Sequence, residues 1–344
     1  MTLRKLDCGT EHEAVVECID EEAGYHGFIA IHSTALGPAV GGTRVWPYAS
    51  TADAVNDVLR LSRAMTYKAA AAGLDLGGGK SVIIGDNRLL DRERIFRAHG
   101  RFVEYFKGRY IAGEDVGTTP ADMALVRLET SYAAGLPHKS GDPSPFTARG
   151  VFRAMQAASL VRWGSDNLTG RTVAIQGCGH VGYQLAIELH QAGARLILSD
   201  LDGEKLEHLG ARIKATAVAR EEIFDVQADL FSPCALGGIL NDATIPRLRA
   251  QVICGAANNQ LLEARDGSTL ASRAILYVPD YVANAGGIIN GAQELCNWSA
   301  ARCAEAVEAI YETTLKVLEL ARVQGISTAQ AADRYAESRL PRAS

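Results

Sequence analysis

No apolar run in this 344-residue chain approaches the roughly 20 residues needed to cross a bilayer, so no membrane partner is expected. Neither sign of charge prevails. The 35 basic side chains stand against 40 acidic ones, a formal charge of -5, with no basic tract or charge block. The electrostatic footprint of a nucleic-acid or anionic-membrane binder is therefore missing. Cys8, Cys18, Cys178, Cys234, Cys254, Cys296 and Cys303 are odd in number, scattered, and never spaced C-x-x-C. That pattern excludes a disulfide framework and a structural zinc site, and it suits a reducing cytoplasm. No histidine pair has zinc-ligand spacing with a third ligand, so no metal is assigned. The opening MTLRKLDCGTEHEAVVE is too polar for a signal peptide.

What is present begins with length. The chain is long enough for two domains, each with its own core. Residues 172–200, TVAIQGCGHVGYQLAIELHQAGARLILSD, are its most informative stretch. A β-branched run, 172–176, leads into Gly177, Gly179 and Gly182 with G-x-G-x-x-G spacing. A helical pattern follows through Val181, Leu185 and Leu189, then a second strand, 196–198, with Asp200 at its end. Gly177 permits a tight turn, Gly179 admits a pyrophosphate to the backbone, and Gly182 lets the helix pack on the strand. The helix N-terminus, with His180 and Val181, offers free N–H groups and a positive dipole end. A carboxylate at Asp200 suits a ribose 2′-hydroxyl and repels a 2′-phosphate, which points to NAD.

The remaining chain reads as alternating α and β elements. Strands are expected at 13–19, 25–32, 81–84 and 110–116, with helices at 51–72 and 91–106. Residues 37–48, GPAVGGTRVWPY, read as a loop, and GLDLGGGK as a glycine loop opening into the 81–84 strand. Pro143 and Pro145 within 141–150 mark an inter-domain hinge, with a helix from 151 to 163 behind it. Further strands are expected at 229–234, 251–255 and 275–278, helices from 284 to 323, and a terminal helix at 327–340. In an open α/β sheet the loops after strand C-termini gather at the ligand crevice. This places PCALGGILN, GAANNQL and PDYVANAGG near the cofactor.

A second cluster precedes the hinge. Lys80 follows three glycines, where close approach of a ligand is possible and an apolar setting can lower an ammonium pKa. Lys68 ends an alanine-rich helix, and Asp115 ends a strand. GGGKS is not a P-loop, because its glycine spacing is one residue too long and it precedes a strand.

The motifs IAIHSTALGPAVGGTRVWPY, MTYKAAAAGLDLGGGKSVIIGD, GRYIAGEDVGTTPADM, GDPSPFTARGVF, PCALGGILN, CGAANNQL and YVPDYVANAGGIIN occur in an order similar to that of the Glu/Leu/Phe/Val amino-acid dehydrogenases. Nearly the whole chain resembles the leucine, phenylalanine and tryptophan dehydrogenase branch. The resemblance implies an α/β chain of two domains with a cleft between them. Residues 1–142 would bind substrate, carry the catalysis and oligomerise, and 143–326 would form the NAD-binding Rossmann domain. The 327–344 segment would pack back on the first. It further implies NAD-dependent, reversible oxidative deamination of an L-amino acid to a 2-oxo acid and ammonium, in a homo-oligomer.

By the same resemblance Lys68 binds the substrate carboxylate with the Gly41–Gly42 backbone, Lys80 is the catalytic lysine and Asp115 the proton shuttle. Asn259 would sit near the carboxylate and cofactor, and Thr147 would contact the nicotinamide. Cys234, Ala235, Ala256 and Asn284 lie in the cofactor loops. Val40, Gly113, Ile288 and Gly291 resemble the side-chain pocket, where two glycines imply a deeper apolar cavity. An aromatic substrate, phenylalanine first and possibly tryptophan, is therefore expected. EDVGTT and GGTRVW favour the alternative of leucine or another branched-chain acid. A non-catalytic NAD or amino-acid sensor would have degraded Lys80 or Asp115, and both are intact.

Overall fold

The computed structural model describes residues 1–86, 88, 91–136 and 141–341. The chain forms two compact units. One takes residues 1–141, 291–298 and the chain end from 337; the other takes 142–290 and 299–336. Residues 291–298, expected in the second domain, thus group with the first unit.

In the first unit the strands are β1 (Thr2–Lys5), β2 (Ala14–Asp20), β3 (Tyr25–Ser33), β4 (Ala39–Trp46), β5 (Gly77–Ile84) and β6 (Tyr110–Glu114). They form one sheet in the order β1-β2-β3-β5-β4-β6. Pairing is antiparallel from β1 through β5, whereas β4 runs parallel to both β5 and β6. Helix α1 (Thr51–Ala71), capped by the Ser50 hydroxyl, covers one face through Ala54 and Val58 against Phe28, Ala30 and Val82. Helices α2 (Arg92–Tyr105) and α3 (Pro120–Arg127) cover the other, where Phe96, Phe102 and Met123 meet Ile29, Ile31 and Ile83. The Thr119 cap, Pro120 and Asp122 open α3 with a reciprocal capping box.

Two expectations are corrected here. Residues 39–46 are a strand and not part of a loop, and the triple glycine lies inside β5 and not ahead of it. Both errors have one cause. A Cβ on Gly41 would overlap the Gly79 carbonyl, and one on Gly78 would overlap the backbone of Thr66 in α1. Glycine marks close backbone approach in these strands, where turn chemistry would have been the usual inference.

The second unit is built on β7 (Thr172–Gln176), β8 (Arg195–Ser199), β9 (Ala215–Ala217), β10 (Leu230–Pro233), β11 (Val252–Ile253) and β12 (Leu276–Tyr277). All pairings are parallel, in the order β12-β11-β10-β7-β8-β9. The order reverses between β7 and β10, so the ligand crevice of such a sheet opens at their C-terminal ends. Helix α4 (Ser144–Trp163) begins seven residues before its expected start. Pro145 sits in its first turn, where a missing N–H costs nothing, so the proposed 141–150 hinge is largely helical.

Helices α5 (His180–Gln191), α6 (Gly203–Gly210), α7 (Ala264–Ser272) and α8 (Asp280–Ala283) follow the strands. Helices α9 (Gly286–Leu295), α10 (Ala300–Glu308), α11 (Ile310–Gln324) and α12 (Thr328–Glu337) complete the chain. The terminal segment divides its contacts. Asp333 of α12 accepts from Tyr281 in the second unit, while Glu337 accepts from Tyr67 and Arg339 donates to Ala70 in the first. Residues 342–344 lie outside the described part. No described helix is long and apolar enough to cross a membrane.

Strand alternation places Ser81, Thr43 and Tyr110 on the α2 face, around the fully buried His99. His99 Nδ1 meets Tyr25 Oη at 2.9 Å, and Nε2 meets Thr43 Oγ1 at 3.1 Å and Ser81 Oγ at 3.3 Å. Tyr110 donates to Ser81 at 3.0 Å. Burial pushes the His99 imidazole from 6.5 down to about 3, so it folds neutral. The unfolded chain binds a proton there below about 6.5, and the folded one does not until about 3. Stability is thus unaffected above 6.5 and falls as pH drops through that window. His99→Gln should flatten the decline of melting temperature between pH 7 and pH 4, measured by circular dichroism. An unchanged decline would remove His99 from the acid response.

Candidate active site and dinucleotide groove

On the α1 face of the first sheet, alternation lines up Val40, Gly42 and Arg44 of β4, Gly78 and Lys80 of β5, and Gly113 of β6. The glycines leave a floor almost without side chains. Neighbours fill two of the three vacancies: Thr66 lies over Gly78, and the Glu114 carbonyl and Asp115 Cβ lie over Gly42. At Gly113 the space beyond the backbone is open to 4 Å.

Lys80 stands on this floor with its side chain 6% exposed. Its ammonium lies 2.9 Å from Asp115 Oδ2. Burial lowers the Lys80 pKa below its ordinary value, and Asp115 opposes that shift. For Asp115 burial acts to raise the pKa, but Lys80 and Arg44 outweigh it and hold the carboxyl down to about 2. Asp115 is therefore ionised at neutral pH. Thr118 pins the backbone at this strand end, accepting from the Asp115 N–H at 2.8 Å. Lys68, half-buried, occupies the last turn of α1, two residues beyond the Thr66 that covers Gly78.

Arg44 was not singled out from the sequence, although it lies within the GGTRVW motif. Its Nε donates to Asp115 Oδ2 at 2.9 Å and its Nη1 to Asp57 Oδ2 at 3.0 Å. The available signal was its spacing: two residues after Gly42 along a strand, it must share that residue's face.

Ile288 and Gly291 lie three apart on α9 and so share a side of that helix. A Cβ added at Gly291 would meet Leu295 Cδ1 at 3.6 Å. The cavity expected from that glycine is thus partly filled by the next turn of its own helix. Glu294 docks α9 by accepting from the Gly135 N–H at 3.1 Å.

In the second unit the glycine turn has the form its spacing predicts. Gly177 adopts φ +95° and packs against Ala235, and a Cβ on Gly182 would overlap the Gly177 carbonyl. Nothing lies within 4 Å of the Cβ position at Gly179. Cys178, Gly179 and His180 line a groove of about 630 Å³ with Tyr183, Lys205 and His208. Asp200 is held at the end of β8, its Oδ2 accepting the Cys178 N–H at 2.7 Å and its Oδ1 the Asp202 N–H at 2.9 Å. Lys205 Nζ stands 3.8 Å from the same carboxylate.

Across the crevice, Cys234 follows β10 and donates its N–H to Gln176 at 2.7 Å. Asn284 Nδ2 donates to the Ala256 carbonyl at 3.0 Å, while its Oδ1 is buried without a partner. Asn259 adopts φ +52°, and Thr147 Oγ1 bonds the Pro143 carbonyl at 2.9 Å. These residues fit a dinucleotide: an open approach over Gly179, N–H groups of the α5 terminus beside it, a fixed carboxylate for a ribose, and an orphan amide oxygen. Val181 occupies the first turn of α5. Among the described residues no group of His, Cys, Asp and Glu is placed to hold a metal ion.

Residues 12–132 match the Glu/Leu/Phe/Val dehydrogenase dimerisation domain, and 198–343 match the Glutamate/Leucine/Phenylalanine/Valine dehydrogenase model. Leucine dehydrogenase of Thermoactinomyces intermedius is 50% identical over 333 residues, 96% of this chain and 91% of that protein. Phenylalanine dehydrogenase of Caldalkalibacillus thermarum is 45% identical over 348 residues, 99% of this chain and 94% of that one. The crystal structure of L-tryptophan dehydrogenase from Nostoc punctiforme superposes with a TM-score of 0.84 at 44% identity, covering 96% of each chain. A dehydrogenase of this fold implies a nicotinamide cofactor. With two family models across most of its length and relatives at half identity, the chain belongs to the Glu/Leu/Phe/Val family of amino-acid dehydrogenases.

Proposed function

We propose that this protein catalyses the reversible, NAD-dependent oxidative deamination of a hydrophobic L-amino acid to its 2-oxo acid and ammonium. The observation that carries the reading is the buried Lys80–Asp115 pair, 2.9 Å apart on a floor of glycines. In the deaminating direction Asp115, ionised at neutral pH, takes a proton from the substrate ammonium and returns it to the departing amine. Lys80, in its neutral form, takes a proton from the water that attacks the imine carbon, a role favoured by the lowering of its pKa on burial. Lys68, with the Gly41–Gly42 backbone, holds the carboxylate and so fixes which face of the α-carbon reacts. NAD supplies, when bound, an acceptor for the hydride from the α-carbon.

Gly177, Gly179, His180, Val181 and Gly182 would hold its pyrophosphate and Asp200 its adenosine ribose. Cys234, Ala235, Ala256, Asn284, Thr147 and Asn259 would hold its nicotinamide end. A homo-oligomer is proposed from the description of the 12–132 match as a dimerisation domain. Seven free thiols suit the reducing cytoplasm as its location.

For the substrate, the open space at Gly113 supports an aromatic side chain, phenylalanine first. A second reading, leucine and other branched-chain acids, is favoured by Leu295 beside Gly291 and by the 50% identity to leucine dehydrogenases. NADH formation from a panel of L-amino acids should show turnover of phenylalanine at least equal to that of leucine. Far better use of leucine or valine would transfer the assignment to the second reading. Lys80→Ala should lower turnover by about 10²-fold or more, whereas a non-catalytic sensor would have none to lose.

Two further outcomes follow from single positions. Gly113→Ala adds one methyl to open space and should move the leucine-to-phenylalanine ratio of kcat/KM towards leucine by about 10-fold. An unchanged ratio would place Gly113 outside the pocket. NADP should be a poor substitute for NAD because its phosphate meets the Asp200 carboxylate. Comparable kcat/KM with the two cofactors would overturn that assignment.

A further inference from the structure

Asp115 is gripped from two sides by cations, and only one of them has a part in the chemistry above. Arg44 Nε and Lys80 Nζ both lie 2.9 Å from the same oxygen, Oδ2. The far end of the Arg44 fork is anchored in turn. Its Nη1 donates to Asp57 Oδ2, which also accepts from the Tyr48 hydroxyl at 2.7 Å, and Asp57 Oδ1 accepts from Arg60 at 2.8 Å. The result is a line of alternating charge, Lys80, Asp115, Arg44, Asp57, Arg60, running from β5 through β6 and β4 to α1. Only its last member is well exposed, at 55%, while the Arg44 and Asp57 side chains are 19% and 15% exposed.

A purely structural reading leaves one feature unexplained. Arg44 stands close enough to Lys80 to disfavour its ammonium. A second half-buried cation beside a catalytic lysine costs stability unless it does something for the anion between them. What it does follows from guanidinium geometry. The planar fork keeps its proton and presents its donors to two carboxylates at fixed spacing, whereas an ammonium acts as a point charge on a flexible stem. With both cations on Oδ2, Oδ1 is left as the oxygen that can exchange a proton.

We propose that Arg44 is a positioning residue for the reaction: it orients the Asp115 carboxylate and sets its proton affinity, with Asp57 and Tyr48 holding it in place. This rests on the reading of Lys80 and Asp115 as the proton-handling pair. The groups around Asp115 are Lys80 of β5, Arg44 of β4, Asp57 of α1, and the phenols of Tyr48 and Tyr110. Both phenols are pushed up by burial and stay neutral, so the two cations dominate the field. Removing one of them raises the carboxyl pKa.

The test uses the full-length enzyme with Arg44→Gln, near-isosteric and neutral, and Arg44→Lys, which keeps the charge and loses the fork. Arg44→Gln should lower kcat by about 10²-fold with the amino-acid KM within about threefold. Its acidic limb of kcat/KM should move to higher pH by about one unit or more. Arg44→Lys should return the limb towards its original place while recovering only part of kcat. If Arg44→Gln, folded by melting temperature and NAD binding, keeps its acidic limb in place and its kcat within about threefold, the proposal is overturned. Should Arg44→Gln fail to fold, Arg44→Lys decides alone: reduced kcat with an unmoved limb supports positioning, and unreduced kcat overturns it. Asp115→Asn and Lys80→Ala, assayed alongside, separate the two levels. Full turnover in either would remove the pair assignment itself, whatever Arg44 does.

Discussion

An ammonium taken out of water must be given an anion, and the anion then has to be kept from wandering. The first unit is arranged around that requirement at Lys80. The β5 residues before it are glycines, so no side chain crowds it from that end, and α1 closes over the strand to exclude solvent. Asp115, at the end of a different strand, supplies the countercharge, and its backbone is tied by Thr118. An isolated buried cation would shed its proton or unfold its surroundings. Paired in this way it is still more acidic than a solvated lysine, which favours proton exchange with a bound substrate.

Behind this face the same strands present a second polar layer. His99, Thr43, Ser81, Tyr25 and Tyr110 hydrogen-bond to one another. Two members are chain neighbours of residues on the reactive face: Ser81 of Lys80, Thr43 of Arg44. A fully satisfied buried network permits few alternative arrangements. The strands that carry the charges are therefore held from the face opposite Lys80 and Arg44.

Much of this was legible in the sequence, and the failures share a physical origin. The glycine turn, Asp200 and the parallel strands of the second unit follow from spacing and β-branched runs, because local geometry alone dictates them. Lys80 and Asp115 could be singled out, but their contact joins residues 35 positions apart in the chain, and no periodicity reports a pairing of β4 between β5 and β6. Glycine in 37–48 and 77–79 looks like turn chemistry because nothing local distinguishes a loop from a strand pressed against another backbone. Pro143 and Pro145 were read as breakers for a similar reason, since a proline at a helix start looks the same in sequence as one that ends it. Arg44 escaped notice because its importance lies wholly in what it touches across strands.

The glycines of the reactive face fall into two groups that the sequence cannot separate. At Gly42 and Gly78 the missing side chain is replaced by another part of the protein, so any residue placed there displaces backbone. At Gly113 it is replaced by nothing. Change is therefore barred where the charges are held and permitted where a side chain would be received. A lineage can drift between small and bulky substrates through positions of the second kind while the machinery for moving protons stays untouched. Close relatives with different substrate names are what such a division of labour would leave behind.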